Sequence, residues 1–307
     1  MSPAADRAPR SVPTPPRRPA STGASACLLL LSATLLAGCG GADGAADGTP
    51  GGGSDGGGAS ADRPATSGLP RSGAFDYQLG GVSDGEFAVV VRDPADGPLP
   101  GAYSICYVNG FQTQPDEAEL WAAHPELLLH DAHGEPVVDP EWPDELVLDP
   151  GTPARREGIL ARIGPEIDAC AAAGFDAVEL DNLDVGERFD QLDPDGVLAL
   201  AGDYVDRAHA AGLEVAQKNA AELAPVGRAE LGFDLAVVEE CGAYDECAAY
   251  REAYGEAFVQ IEYPDSLAAA GVTFSVVCAD PDRAPLTVLR DRDLVPAGEP
   301  GHLREQC

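Results

Sequence analysis

From Phe75 onward the chain alternates short β-prone runs with alanine-rich stretches of helical period. The runs are FDYQL (75–79), FAVVV (87–91), AYSICYV (102–108), AVEL (177–180), EVAQK (214–218), LAVV (235–238), FVQI (258–261) and LTVL (286–289). Helical spacing appears at 155–173, with Ile159, Ile163 and Ile167 on one stripe, at 195–211, with Leu198, Ala201 and Val205, and at 246–254. Strands interleaved with helices demand a largely parallel sheet covered by helices. Eight of them within 73–307 predict an α/β chain folded as a single (β/α)8 TIM barrel rather than a three-layer sheet. The alternation lapses at 112–154, which holds Trp121, Trp142 and one short run, LVLD (146–149). A long loop with helical turns over the barrel mouth is expected there.

Barrels of this kind do their chemistry at the C-terminal ends of the strands. Here those ends read Asp76 and Gln78, Arg92-Asp93, Tyr107 and Asn109, Asp181-Asn182, Lys218-Asn219, Glu239-Glu240, Glu262-Tyr263 and Arg290-Asp291. Any one polar strand end is what a strand leaving for solvent shows; a whole ring of them points to a site. Lys218 stands out further, because 18 of the 19 basic residues are arginine and it is the only lysine. A compact ammonium at that strand end does what a guanidinium would not.

The segments DYQLGG, SICYVNGFQTQ, GFDAVELDNLD, GLEVAQKN, FDLAVVEECGAYDEC, VQIEY and LRDRD, in this order and spacing, resemble glycoside hydrolase family 114, the endo-α-1,4-polygalactosaminidases. The resemblance covers 73–307. It implies a (β/α)8 barrel that hydrolyses α-1,4-linked, galactosamine-rich polysaccharide with no metal or organic cofactor. The family's catalytic acids are the Asp of a Glu-Pro-Asp-Asn motif and the Glu of an Asn-Glu-Gln-Cys motif. They fall here on Asp181, in Glu179-Leu180-Asp181-Asn182, and on Glu239, in Val238-Glu239-Glu240-Cys241. Leu180 replaces the proline, and Glu240 stands where glutamine is more usual.

Glycosidic cleavage by itself requires such a pair, one carboxylic acid to protonate the leaving oxygen and one carboxylate to act as nucleophile or activate water. The less solvated of the two is expected to carry the raised pKa and to serve as the acid. A partly deacetylated galactosamine polymer is cationic, so Asp76, Asp184, Glu240, Glu262 and Asp291 become candidate ligands for its ammonium groups. Asn182, Lys218 and Asn219 are further candidate substrate contacts, and Tyr107 and Tyr263 are expected to stack on sugar faces. Glu179 has two readings that stay open, a substrate ligand or a partner for Lys218.

The first 74 residues contain no aromatic side chain. Arg7, Arg10, Arg17 and Arg18 precede an apolar run from Ala26 to Ala37, the pattern of a secretory signal. The run ends in Leu36-Ala37-Gly38-Cys39, which resembles a bacterial lipoprotein signal: residues 1–38 would be removed and Cys39 lipidated, anchoring the protein to the membrane. An ordinary signal peptide cleaved nearby is the alternative, and both export the protein. Residues 39–72, rich in Gly, Ala and Asp, are expected to be a flexible tether, with the folded domain at 73–307. The formal net charge of −33 becomes −36 once residues 1–38 are gone. Such a field disfavours nucleic acid and anionic lipid as partners and attracts cations, although solubility or salt adaptation would also produce it.

Loss of Cys27 with the signal and use of Cys39 for lipid would leave six cysteines for an oxidising compartment. Cys241 and Cys247, in ECGAYDEC, are close enough to bridge locally. Cys106, Cys170, Cys278 and Cys307 admit three pairings. His124, His130 and His133 beside Asp131 offer no fourth ligand at metal-binding spacing, so no metal site is expected. The expectation is a monomeric, exported glycan hydrolase. A surface glycan-binding lipoprotein on the same barrel and a metal-dependent hydrolase of that fold remain as rivals.

Overall fold

A computed structural model describes residues 67–307. The signal segment, Cys39 and the tether as far as residue 66 lie outside the described residues. Eight parallel strands follow in sequence order: β1 (Phe75–Gln78), β2 (Val89–Arg92), β3 (Tyr103–Asn109), β4 (Ala177–Asp181), β5 (Glu214–Lys218), β6 (Leu235–Glu239), β7 (Phe258–Glu262) and β8 (Leu286–Arg290). Each expected strand is present. A ninth, β9 (Arg304–Gln306), runs antiparallel along β8. Strands such as Val89–Arg92 and Leu286–Arg290 are buried at every position, which is why parallel strands covered on both faces read as unbroken apolar runs.

The helix Pro153–Ala173 shows how the outer layer forms. Thr152 caps it by accepting from the Arg155 N–H, Pro153 occupies the first turn, and Gly174 ends it in the left-handed region at φ 92°. Its buried Ile159, Ile163 and Ile167 face the sheet. Helix Pro194–Ala210 packs beside it, with the Arg207 guanidinium lying over Gly164 and pairing with Asp168 at 2.5 Å.

Two connections between the parallel strands carry no α-helix. Residues 79–88 and 93–102 join the first three strands through glycine- and proline-rich turns with one short 3-10 turn, Pro94–Asp96. A Cβ at Gly80 would sit 2.3 Å from the Asp293 carbonyl oxygen, so the segment after β8 lies directly against the first connection. Between β3 and the helix at 153, residues 112–152 form short helical turns and isolated bridges, including Gln112 with Val147 and Val138 with Leu146. Packed structure begins upstream of Gly73. Leu69 is buried and Ser67 Oγ donates to Glu214 at 2.7 Å.

Among the described residues no backbone ladder joins β1 to β8. Side chains close that seam instead. Arg304 donates from Nε and Nη2 to the Phe75 carbonyl at 3.1 and 2.9 Å, and the Phe75 N–H donates to Gln306 Oε1 at 3.0 Å. Arg290, itself fully buried, reaches Asp76 and the carbonyls of Tyr77, Val295 and Leu303.

Among the described residues three disulfides are formed: Cys106–Cys170, Cys241–Cys247 and Cys278–Cys307. The first ties β3 to helix Pro153–Ala173 across 64 residues of sequence. Loop-closure entropy for that span is worth about 4 kcal/mol. The double variant Cys106→Ser/Cys170→Ser is therefore expected to unfold at a clearly lower urea concentration, and an unchanged midpoint would show that the cross-link adds nothing.

Candidate active site

Three consecutive strands end in the same way. Asp181 closes β4, Lys218 closes β5 and Glu239 closes β6, and the residue after each adopts a left-handed backbone: Asn182 (φ 63°), Asn219 (φ 47°) and Glu240 (φ 65°). Asparagine tolerates this region, whereas glutamate there costs on the order of 1 kcal/mol that the surrounding fold must offset. The reversal lets the last strand residue point into the mouth while the chain turns away to the next helix.

The three side chains converge on the lysine. Lys218 Nζ lies 3.2 Å from Asp181 Oδ1, 3.1 Å from Glu239 Oε2 and 3.2 Å from Glu179 Oε1. The ammonium also sits 5.6 Å above the ring of Tyr77, whose hydroxyl donates to Glu179 Oε1 at 2.9 Å. Tyr107 donates to Asp181 Oδ2 at 2.8 Å, and Tyr263 donates to Glu239 Oε1. Asn219 works both ways on Glu239, accepting from its N–H at 2.8 Å and donating to Oε2 at 3.4 Å.

The electrostatics separate the acids. Burial by itself would raise Asp181, but the Lys218 charge, the Tyr107 hydroxyl and the Asn182 N–H outweigh it and hold the group below the usual carboxylate range. Burial pushes Glu179 up to about 7 despite Lys218. Lys218 is subject to a burial effect that lowers it, yet Asp181 and Glu239 keep it well above an ordinary amine, so it stays charged. Burial raises Tyr77, Tyr107 and Tyr263, leaving all three as neutral donors. The side chains of Asp181 and Glu239 are about equally exposed, 20% and 22%. Relative burial therefore does not choose the acid as the sequence suggested; local charge and hydrogen bonding distinguish Asp181.

Beside the pair opens a cleft of about 400 Å³. Six carboxylates line it (Asp184, Glu187, Glu222, Glu239, Glu240 and Glu246) against a single arginine, Arg188. Asp184 pairs with Arg188 at 3.1 Å, and Asn182 bonds Arg188 and Asn109. Glu240 turns toward Arg292 and Ser266, so Glu239 is the neighbour that faces Lys218. The bridge Cys241–Cys247 staples the turn that follows this strand end.

Several expected substrate contacts have internal partners instead. Asp76 is fully buried against Arg290 and Gln78. Glu262 is fully buried, and its Oε1 accepts from the Gly242 N–H and Gln260 Nε2, each at 2.7 Å. Asp291 holds the Val295 and Leu303 N–H groups at 2.8 and 2.9 Å. Stacking on Tyr263 meets a ring already covered by the Arg292 guanidinium, 4.3 Å from its centroid, and the Tyr107 hydroxyl is committed to Asp181. Glu179 is the partner of Lys218.

Tyr77 and Arg292 escaped the sequence reading. Strand alternation could have found Tyr77, since Asp76 and Gln78 are both one residue out of phase with it. His130 Nδ1 sits 2.9 Å from the Leu128 carbonyl and Asp131 accepts from the N–H groups of His133 and Glu135, all local loop bonds. Cys241, Cys247 and Glu262 lie close enough together for a metal, but the two sulfurs are bonded to each other.

Comparison with solved structures finds the Ega3 protein of Aspergillus fumigatus, solved in complex with galactosamine, at a TM-score of 0.59 and 20% identity, covering 79% of this chain and 98% of that one. The glycoside hydrolase domain of PelA from Pseudomonas aeruginosa matches at 0.49 and 16%, covering 72% and 94%. No curated protein matches the sequence. The first likeness bears out the barrel. The model of glycoside-hydrolase family GH114 matches residues 57–307, and the chain therefore belongs to that family and is a glycoside hydrolase.

Proposed function

We propose that the protein cleaves α-1,4 linkages in galactosamine-rich, partly cationic polysaccharide outside the cell, with Asp181 as nucleophile and Glu239 as acid and base. The shared grip of Lys218 on both carboxylates carries this reading. Legs of 3.2 and 3.1 Å cap the separation of the two lysine-bound oxygens at 6.3 Å. A shared ammonium that keeps these oxygens close suits the ~5–5.5 Å carboxyl separation of retaining enzymes.

In the first step Asp181, held ionised, attacks the anomeric carbon while Glu239 gives its proton to the departing glycosidic oxygen. The product is a glycosyl ester on Asp181 and a free chain end. In the second, Glu239 takes a proton from water, the hydroxide attacks the same carbon, and Asp181 leaves as carboxylate. Lys218 offsets charge on both acids throughout.

Six carboxylates against one arginine favour a cationic sugar, and galactosamine is the compound held by the solved relative Ega3. Three disulfides suit an oxidising compartment, and among the described residues no helix is long and apolar enough to cross a membrane. Lipidation of Cys39 as the anchor belongs to the same proposal.

The test is hydrolysis of a partly deacetylated α-1,4-galactosamine polymer followed by proton NMR. The α-anomer is expected to appear first and the β-anomer only through mutarotation. Initial release of the β-anomer would overturn the nucleophile assignment, and no release from the cationic polymer would overturn the substrate.

A further inference from the structure

Glu179 is the member of the lysine cluster that hydrolysis, as derived above, does not use. It lies one strand repeat below Asp181, with no exposed surface, and its Oε2 has no hydrogen-bond partner. It cannot touch a substrate in the cleft. Lys218 Nζ lies 3.1–3.2 Å from three carboxylates, donating a hydrogen bond to Asp181 Oδ1 and meeting Glu179 and Glu239 as ion pairs. One positive charge is thereby divided among three groups. We propose that Glu179 is a positioning residue acting through Lys218, and that its gain or loss of a proton sets how much of the ammonium's charge is left for Asp181 and Glu239.

The ionisable groups around Glu179 are Tyr77 on β1, Tyr107 in register with it on β3, Asp181 on its own strand, Lys218 on β5 and Glu239 on β6, with Tyr263, the residue after β7, reached through Glu239. The tyrosines stay neutral and Lys218 stays charged, so Glu179 is the buried group that changes state near neutrality, at about 7. Below that pH it is neutral, and the ammonium serves the two acids at the mouth. As pH rises, the new negative charge draws on Lys218 and leaves less of the ammonium's charge for Asp181 and Glu239. The unpartnered Oε2 fits this role, since a donor fixed there would hold the group permanently ionised.

The single lysine makes the idea testable without relying on the substrate assignment, although the kinetic arm rests on the proposed reaction. Full-length protein labelled with 15N-lysine gives one side-chain Nζ resonance. Its shift is expected to pass through an inflection at about 7 in the wild type and to lose it in Glu179→Gln, which keeps an oxygen for Tyr77 and Lys218. In kinetics the same variant should keep KM, lose less than about tenfold in kcat at its optimum, and show an alkaline limb about one pH unit lower. A wild-type resonance flat between about pH 5 and 9, or an inflection that survives in Glu179→Gln, would overturn the proposal. A raised KM with unchanged kcat would place Glu179 in substrate binding instead. A wild type inactive on the polymer would fail the substrate assignment while leaving the NMR result to decide this one.

Discussion

Asp181→Asn and Glu239→Gln should each lower polymer cleavage by about 10³-fold or more, with no loss of folded structure. Both substitutions keep size and an acceptor oxygen, so the bonds from Tyr107, Tyr263 and Lys218 have somewhere to go. The two variants should nonetheless fail differently. Glu239→Gln lacks the proton for the leaving oxygen, so a galactosaminide with an activated phenolic leaving group should still form the glycosyl-enzyme. Asp181→Asn has no carboxylate to form it and should remain inactive on both substrates. Burst kinetics on the aryl glycoside would separate them. Equal rescue of both variants, or activity near wild type in either, would refute the division of roles.

Replacing Arg290 by methionine is expected to destabilise the protein by about 3–5 kcal/mol, because buried Asp76 would lose its close counter-charge and keep only Arg304, 3.7 Å away. Arg290 also satisfies the carbonyls of Tyr77, Val295 and Leu303, which methionine cannot. The double variant Asp76→Asn/Arg290→Met should recover part of the loss, since it removes the stranded charge. Urea unfolding of the two variants would measure this. A single variant as stable as the wild type would mean that the pair does not hold the seam.

The eight parallel strands were legible because burial on both faces leaves continuous apolar runs, and Asp181, Lys218 and Glu239 were legible because each ends such a run. β9 was not, since Arg-Glu-Gln offers no apolar signal and pairs only at an edge. The roles of Asp76 and Asp291 depend on partners that local sequence does not disclose; Asp76 and Arg290 are 214 residues apart. That Arg292 covers the Tyr263 ring is a tertiary fact that a strand end does not disclose. The choice at Glu179 turned on a distance, and a strand pattern supplies none.

The side-chain seam has a consequence for the order of folding. Phe75 finds its backbone partners on Arg304 and Gln306, about 230 positions later, so a chain emerging in sequence order must hold β1 as an open edge until those residues arrive. An unsatisfied edge of this kind invites pairing with other chains while it waits. Cys278–Cys307 then works as a latch, since oxidation fixes the neighbour of Gln306 and makes release of the closing strand costly. Assembly of this barrel should thus be most vulnerable to aggregation before its final disulfide forms.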